Sequence, residues 1–273
     1  MNAQPNYVES EIAFVGDEWR DQSSSPRIYS KTSRLANTRR HTVKIGDARS
    51  RHFAGELDLD VSGFVLLERE TSVTKFSSKE IVLGEYFPEM REVLMQTTGA
   101  YDALPFPFYQ VRSKSPQHFF DAYSLYIHCD YSPDGLDKLA RHIIKENAAE
   151  KRYPASEWDY AFYNLWRPIV GTVQKDPLVV MDASTLERKD IIDYHPTPEG
   201  QKGLAAVPLF NPEQRFYYVP QMRIDEVLVL KQLDTRNNRA LVAPHTSFQD
   251  PTVVGDVPER QSIDIRFMCI FPK

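Results

Sequence analysis

The sequence predicts a mainly β protein carrying a helical layer, on three observations. Strand-like stretches fill the chain from residue 160 onward, at 160–170, 178–181, 216–219, 227–233, 240–245 and 263–271. They are separated by turn residues such as Asn211-Pro212 and Asn237-Asn238 and read as an antiparallel set. Two amphipathic helical patterns lie in the first half of the chain. Aromatic residues reach 12%, which fits a β-rich core or an apolar ligand cavity.

Taken in order, residues 1–60 are polar and broken, with the loop Ser23-Ser24-Ser25-Pro26 and β-like pieces at 27–32 and 41–45. This region is expected to be an N-terminal extension or lid that belongs to the same domain as the rest. Residues 63–69 read as a strand. Residues 86–98 read as a helix: Phe87, Met90, Val93 and Leu94 share one face, and Gly99 is placed to cap its C-terminus. Residues 101–109, with Tyr101, Pro105, Phe106, Pro107 and Phe108, read as a proline-stiffened aromatic loop. A strand is expected over 119–130. Directly after it, Ser132 and Pro133 form a helix start, with Asp134 facing the positive end of the helix dipole. Leu136, Leu139, Ala140 and Ile143 then give that helix one apolar stripe.

Composition limits the classes of partner. The 273 residues suit one large domain or two small ones, and no internal repeat divides them. A net charge of −5 offers no basic surplus for phosphates, which argues against nucleic acid. Cys129 and Cys269 are the two cysteines, too few for a disulfide framework, and each sits in an apolar stretch that suits a buried free thiol. The N-terminus lacks the pattern of a secretory signal, and no run of roughly eighteen apolar residues exists to cross a membrane. The expectation is a soluble cytoplasmic protein with a small-molecule partner and no contact with membrane or nucleic acid; a homodimer stays open.

The chemistry gathers on a short stretch, Tyr126-Ile127-His128-Cys129-Asp130. On an extended chain residues i and i+2 share a face, so His128 and Asp130 aim an imidazole and a carboxylate at one point. His245 follows far downstream, then Arg260 and Ser262. Two histidines and a carboxylate that leave metal positions open form the facial triad of non-haem Fe(II) oxygenases. A guanidinium grips a carboxylate bidentately, so Arg260 with Ser262 suits a dicarboxylate co-substrate. The order HxD…H…RxS is the pattern of Fe(II)/2-oxoglutarate dioxygenases.

Four further segments, 163–168, 218–223, 244–248 and 260–266, carry a family resemblance. Together they resemble the AsaB/CmcJ-like hydroxylase/desaturase family of fungal and bacterial Fe(II)/2-oxoglutarate-dependent oxygenases, which includes the novofumigatonin endoperoxide-forming oxygenase. The likeness runs from about residue 60 to the end. It implies a double-stranded β-helix (jelly-roll) over 61–273, with Fe(II), 2-oxoglutarate and O2, and a role in secondary metabolism. Carried over by position, His128, Asp130 and His245 match the iron ligands, and Arg260 and Ser262 match the binders of the distal carboxylate. The stretch from Asn164 to Arg167 matches a strand lining the co-substrate, where alternation puts Asn164 and Trp166 on the face opposite Tyr163 and Arg167. Asn164 is expected inside, since a neutral amide costs less to bury than an unpaired guanidinium.

Two rival classes use some of the same residues. A metal-dependent hydrolase or isomerase on a similar barrel leaves Arg260 and Ser262 without a role. A non-catalytic jelly-roll binding protein has no need of three ligand-type residues in this order. Tyr101, Phe106, Phe108 and Phe248 crowd the triad-bearing segments in sequence and are expected to line the substrate pocket. The expected substrate is a bulky apolar skeleton, terpenoid or meroterpenoid before polyketide, oxidised by hydroxylation, desaturation or endoperoxide formation.

Overall fold

The computed structural model describes residues 7–113, 123–154 and 156–273. In chain order these contain β1 (Tyr7–Val15), α1 (Lys31–Asn37), β2 (Thr38–Asp47), α2 (Ala48–Phe53), β3 (Phe64–Glu68), α3 (Lys79–Ile81), α4 (Phe87–Thr98) and β4 (Asp102–Ser113). There follow α5 (Leu136–Glu146), β5 (Trp158–Pro168), β6 (Leu178–Met181), β7 (Ile191–Tyr194), β8 (Ala205–Pro208), β9 (Phe216–Tyr218), β10 (Glu226–Asp234), β11 (His245–Ser247) and β12 (Gln261–Pro272).

Two five-stranded sheets carry the architecture, in the orders β3-β10-β5-β12-β4 and β1-β2-β9-β6-β11. The three central strands of the first sheet are buried on both faces, so they read as near-continuous apolar runs. Alternation sorts their side chains. Tyr163 and Leu165 of β5, Ile265 and Phe267 of β12 and Val229 of β10 turn outward and pack beneath α4 through Phe87, Met90 and Leu94. Leu228 and Leu230 of β10 and Trp166 of β5 turn inward, toward Val180 and Tyr217 of the second sheet. The fold is a jelly-roll of two facing sheets, with helices covering one outer face.

The helices follow local chemistry. Gly99 ends α4 in the left-handed conformation, φ 67°, which a residue without Cβ adopts at little cost. Ser132 accepts the backbone N–H of Asp134 and opens a 3-10 turn that leads into α5. The α5 stripe packs through Ala140 and Ile143 onto Phe106, Phe162 and Met268.

The structure corrects four expectations. Residues 101–109 are not a loop: all but Tyr101 lie in β4, whose prolines sit on an edge strand, where a missing N–H costs no ladder bond. Of the strand expected over 119–130, residues 119–122 lie outside the described residues. The remainder makes isolated bridges, His128 to His245 and Cys129 to Ala206, rather than a ladder. The piece at 27–32 gives way to α1, nucleated by a capping box between Ser30 and Ser33. The strand expected over 240–245 is extended backbone that pairs only from His245 to Ser247. The strands from residue 160 onward do pair antiparallel with one another, and the parallel ladder joins β9 to β2 of the N-terminal region. Residues within 1–60 supply β1 and β2 to the second sheet.

Candidate active site: a histidine–aspartate cluster beside buried unpaired donors

His128 and His245 face each other across an antiparallel bridge, each backbone N–H donating to the other's carbonyl at 3.2 and 3.0 Å. That pairing brings the two rings to a centroid distance of 4.8 Å. Asp130 is two residues on, and its Oδ1 lies 3.5 Å from His128 Nε2 and 3.9 Å from His245 Nε2. One ligand atom from each of the three falls within 4.8 Å of the others, the only such group of histidine, cysteine and carboxylate side chains among the described residues.

The surroundings fix which atoms face the common point. His128 Nδ1 sits 3.1 Å from the Tyr126 carbonyl, and His245 Nδ1 sits 3.3 Å from the Ala243 carbonyl. A carbonyl only accepts, so each Nδ1 carries the proton and each Nε2 presents its lone pair toward Asp130. Asp130 Oδ2 accepts from Arg266 Nε at 3.0 Å and from Asn164 Nδ2 at 3.4 Å, which leaves Oδ1 on the histidine side.

Electrostatics put His245 and Asp130 in the ligand form. Burial and neighbouring His128 push His245 down to about 4, against the pull of Asp130. Burial opposes the charge on Asp130, yet Arg266 and the imidazoles outweigh it and hold the carboxyl well below the usual range. Two imidazoles and one carboxylate are the donor set a divalent iron takes, and the residues present fit it.

Arg260 and Ser262 lie at the start of β12. Arg260 is 4% exposed, with its guanidinium 4.0 Å from the Tyr123 ring centre and 5.3 Å from that of Trp166. Its Nη1 donates to the Asp176 carbonyl at 2.6 Å, whereas Nε has no partner. The Ser262 hydroxyl, 1% exposed, has none either. Burial pulls Arg260 down to about 10, so it stays charged at neutral pH. Two buried donors left unsatisfied cost free energy, and an anion docking there would relieve it. This cluster fits the carboxylate end of a co-substrate.

Asn164 and Trp166 line the same small cavity as His128, His245, Arg260 and Arg266. Arg167 points the other way, fully buried, with Nη2 donating to the carbonyls of Ile224 and Arg69 beneath the Tyr86 ring. A much wider cleft, about 1240 Å³, lies elsewhere between β2, α2 and the 212–217 segment. It holds none of the ligand cluster, so size alone would misplace the site.

The aromatic residues divide. Phe108 is half-exposed and stands 5.4 Å above the Arg266 guanidinium. Phe106 is buried under α5, packed against Tyr131 and Phe162 and outside the lining of the site cavity. Tyr101 is not brought to the site: its N–H donates to Ile270, four residues beyond Arg266 on β12, and its ring packs on Trp158. Phe248 is not brought there either. It packs edge-on against Tyr218 at 5.1 Å in the core formed with Val179 and Met181, on the far side of the second sheet. Adjacency in sequence to His245 placed it wrongly, because the chain stays extended past β11 and three positions along it reverse the face.

Asp264, Arg266, Gln232 and Ser124 escaped the reading of the sequence. Asp264 and Arg266 continue the alternation begun by Arg260 and Ser262, and that spacing was the available signal. Gln232, whose amide oxygen receives the Asp130 N–H at 3.4 Å, follows the Lys231–Leu233 register shift in β10 and had none.

A family model described as an oxidoreductase/YMDC permease-like domain matches residues 12–270. The alpha-ketoglutarate-dependent dioxygenase phiK of a fungal species is 30% identical over 84% of each chain. The hydroxylase/desaturase efuI of Hormonema carpetanum is 29% identical over 84% of this chain and 83% of that one. A variant of the iron and alpha-ketoglutarate-dependent endoperoxidase NvfI superposes with a TM-score of 0.85 at 26% identity, covering 100% of both chains. With the cluster, the jelly-roll and these relatives in agreement, the chain belongs to the fungal hydroxylase/desaturase family of Fe(II)/2-oxoglutarate-dependent dioxygenases.

Proposed function

We propose that this oxygenase attacks an unactivated C–H bond of a bulky, mostly apolar natural product, a terpenoid or meroterpenoid before other skeletons. The product is an alcohol, an alkene or an endoperoxide. His128, Asp130 and His245 hold Fe(II); Arg260 and Ser262 take the distal carboxylate of 2-oxoglutarate, and Asn164 borders it. The observation that carries the co-substrate assignment is the pair of buried, unpartnered donors, Arg260 Nε and Ser262 Oγ. When bound together, iron, 2-oxoglutarate and O2 supply the oxidising power, with 2-oxoglutarate leaving as succinate and CO2.

The protein's own part is placement and exclusion of water. Tyr123 and Trp166 hold the Arg260 guanidinium between their rings, so little freedom is lost when a carboxylate docks. Half-exposed Phe108 beside Arg266, and exposed Leu125 next in sequence to the cavity-lining Ser124, are the apolar surface read as bordering the site. That surface supports a substrate recognised by packing with one or two hydrogen bonds. The partner is read as a small molecule in the cytoplasm, with neither nucleic acid nor membrane involved. Incubation with Fe(II), 2-oxoglutarate and a panel of terpenoid, meroterpenoid, polyketide and amino-acid substrates, read by mass spectrometry, tests the reading. Preference for a small charged substrate would overturn the substrate class.

A further inference from the structure

We propose that Arg266 is a positioning residue that makes Asp130 a single-oxygen metal ligand. The inference rests on the reading of His128, Asp130 and His245 as the iron ligands. Asp130 has two oxygens with opposite surroundings. Oδ1 faces His128 Nε2 at 3.5 Å and His245 Nε2 at 3.9 Å, whereas Oδ2 accepts from Arg266 Nε at 3.0 Å and Asn164 Nδ2 at 3.4 Å. Those two donors come from residues directly opposed across the central strands, since Arg266 of β12 pairs with Asn164 of β5. A rigid ladder therefore aims both at one oxygen.

The Arg266 side chain is held on every side. Its Nη2 lies 2.9 Å from Asp264 Oδ1 and donates to Gln110 Oε1 at 3.0 Å, while the Phe108 ring lies 5.4 Å from the guanidinium. Asp264 is gripped in turn by Arg112 Nε at 3.1 Å. The result is an alternating row, Arg112–Asp264–Arg266–Asp130, that ties the ligand to edge strand β4. Asp130 needs such a tie. It belongs to no strand, and the one hydrogen bond its backbone N–H makes is a 3.4 Å contact to Gln232.

The chemical consequence concerns how many metal positions stay open. A facial triad leaves three of six positions free, two for a keto acid and one for O2. A carboxylate chelating through both oxygens would take one of the three. By occupying Oδ2, Arg266 preserves that position. A planar guanidinium can donate to Asp130 through Nε and to Gln110 through Nη2 at once, whereas a lysine ammonium cannot span both.

The test uses the full chain with Co(II) under anaerobic conditions, without 2-oxoglutarate, so the readout is independent of turnover. Arg266→Gln and Arg266→Lys are compared with wild type by equilibrium Co(II) titration, by the d–d spectrum, which reports coordination number, and by metal-free melting. Arg266→Gln is expected to weaken Co(II) binding about 10- to 100-fold, the usual range for outer-shell partners of a ligand. Its spectrum is expected to change as Oδ2 takes one of the three positions that stay open in wild type. Arg266→Lys, which keeps the charge and guards against a misfolded glutamine variant, is expected to restore melting but neither affinity nor spectrum. Wild-type affinity and spectrum in a folded variant would overturn the proposal, as would full rescue by lysine, which would mean that charge alone suffices. If wild type itself binds no Co(II), the iron-site reading fails instead.

Discussion

Replacing Arg260 by alanine tests the co-substrate assignment at its strongest point. The guanidinium is 4% exposed, so a carboxylate bound to it would be shielded from solvent screening. Losing one partner of a buried, hydrogen-bonded charge pair costs about 2–5 kcal/mol. At 1.4 kcal/mol per decade this is roughly 30- to 4000-fold in affinity. The upper part of that range is expected here. Nη1 is already anchored to Asp176 and the plane is held by Tyr123 and Trp166, so wild type loses little side-chain freedom on binding. Arg260→Lys should recover only part of the loss, because an ammonium cannot reproduce the fork. The assay is anaerobic titration of the Fe(II)-loaded protein with 2-oxoglutarate, followed by the charge-transfer absorbance of the complex, with melting curves to confirm folding. A dissociation constant within about threefold of wild type in folded Arg260→Ala would refute the assignment.

Three further outcomes follow from the geometry. Below about pH 6.5 an unfolded imidazole takes up a proton, whereas folded His245 stays neutral down to about 4. The metal-free protein should therefore lose on the order of 3 kcal/mol of stability as pH falls through that window, with no further loss from this residue below it. Urea midpoints across the window measure the slope, and His245→Gln should flatten it. Phe108→Ala should alter product distribution more than succinate release, and Tyr101→Ala, at the remote end of β4, should alter neither; chromatography of products distinguishes the two. Phe267→Ala, 1% exposed and 5.5 Å from Phe87 on the helix side of the sheet, should cost about 3–5 kcal/mol in denaturant melts while leaving Co(II) affinity unchanged.

What the sequence disclosed depended on how local each signal was. The HxD spacing, the Ser132-Pro133 helix start and the strand over 263–271 are short-range patterns, and the structure carries each of them. The prolines of β4 misled because proline excludes a helix and an interior strand alike. Only the neighbour list, unknown from sequence, shows that β4 lies at an edge. The parallel β2–β9 pair joins segments about 170 residues apart, and no local pattern announces such a pairing. The pocket aromatics failed for a related reason. Closeness in sequence to His245 or His128 says nothing about which face of a sheet a ring takes, and Phe248 takes the far face. The row from Arg112 to Asp130 was half visible as an i, i+2 series on β12. Its other half, on β4 and beyond β4, needed the fold.

Iron-dependent conversion of 2-oxoglutarate to succinate, compared between wild type and Asp130→Ala, bears most directly on the central claim. The account predicts succinate release from wild type that requires both Fe(II) and 2-oxoglutarate, and none from a folded Asp130→Ala protein. Release independent of iron, or retained when Asp130 is removed, would contradict it.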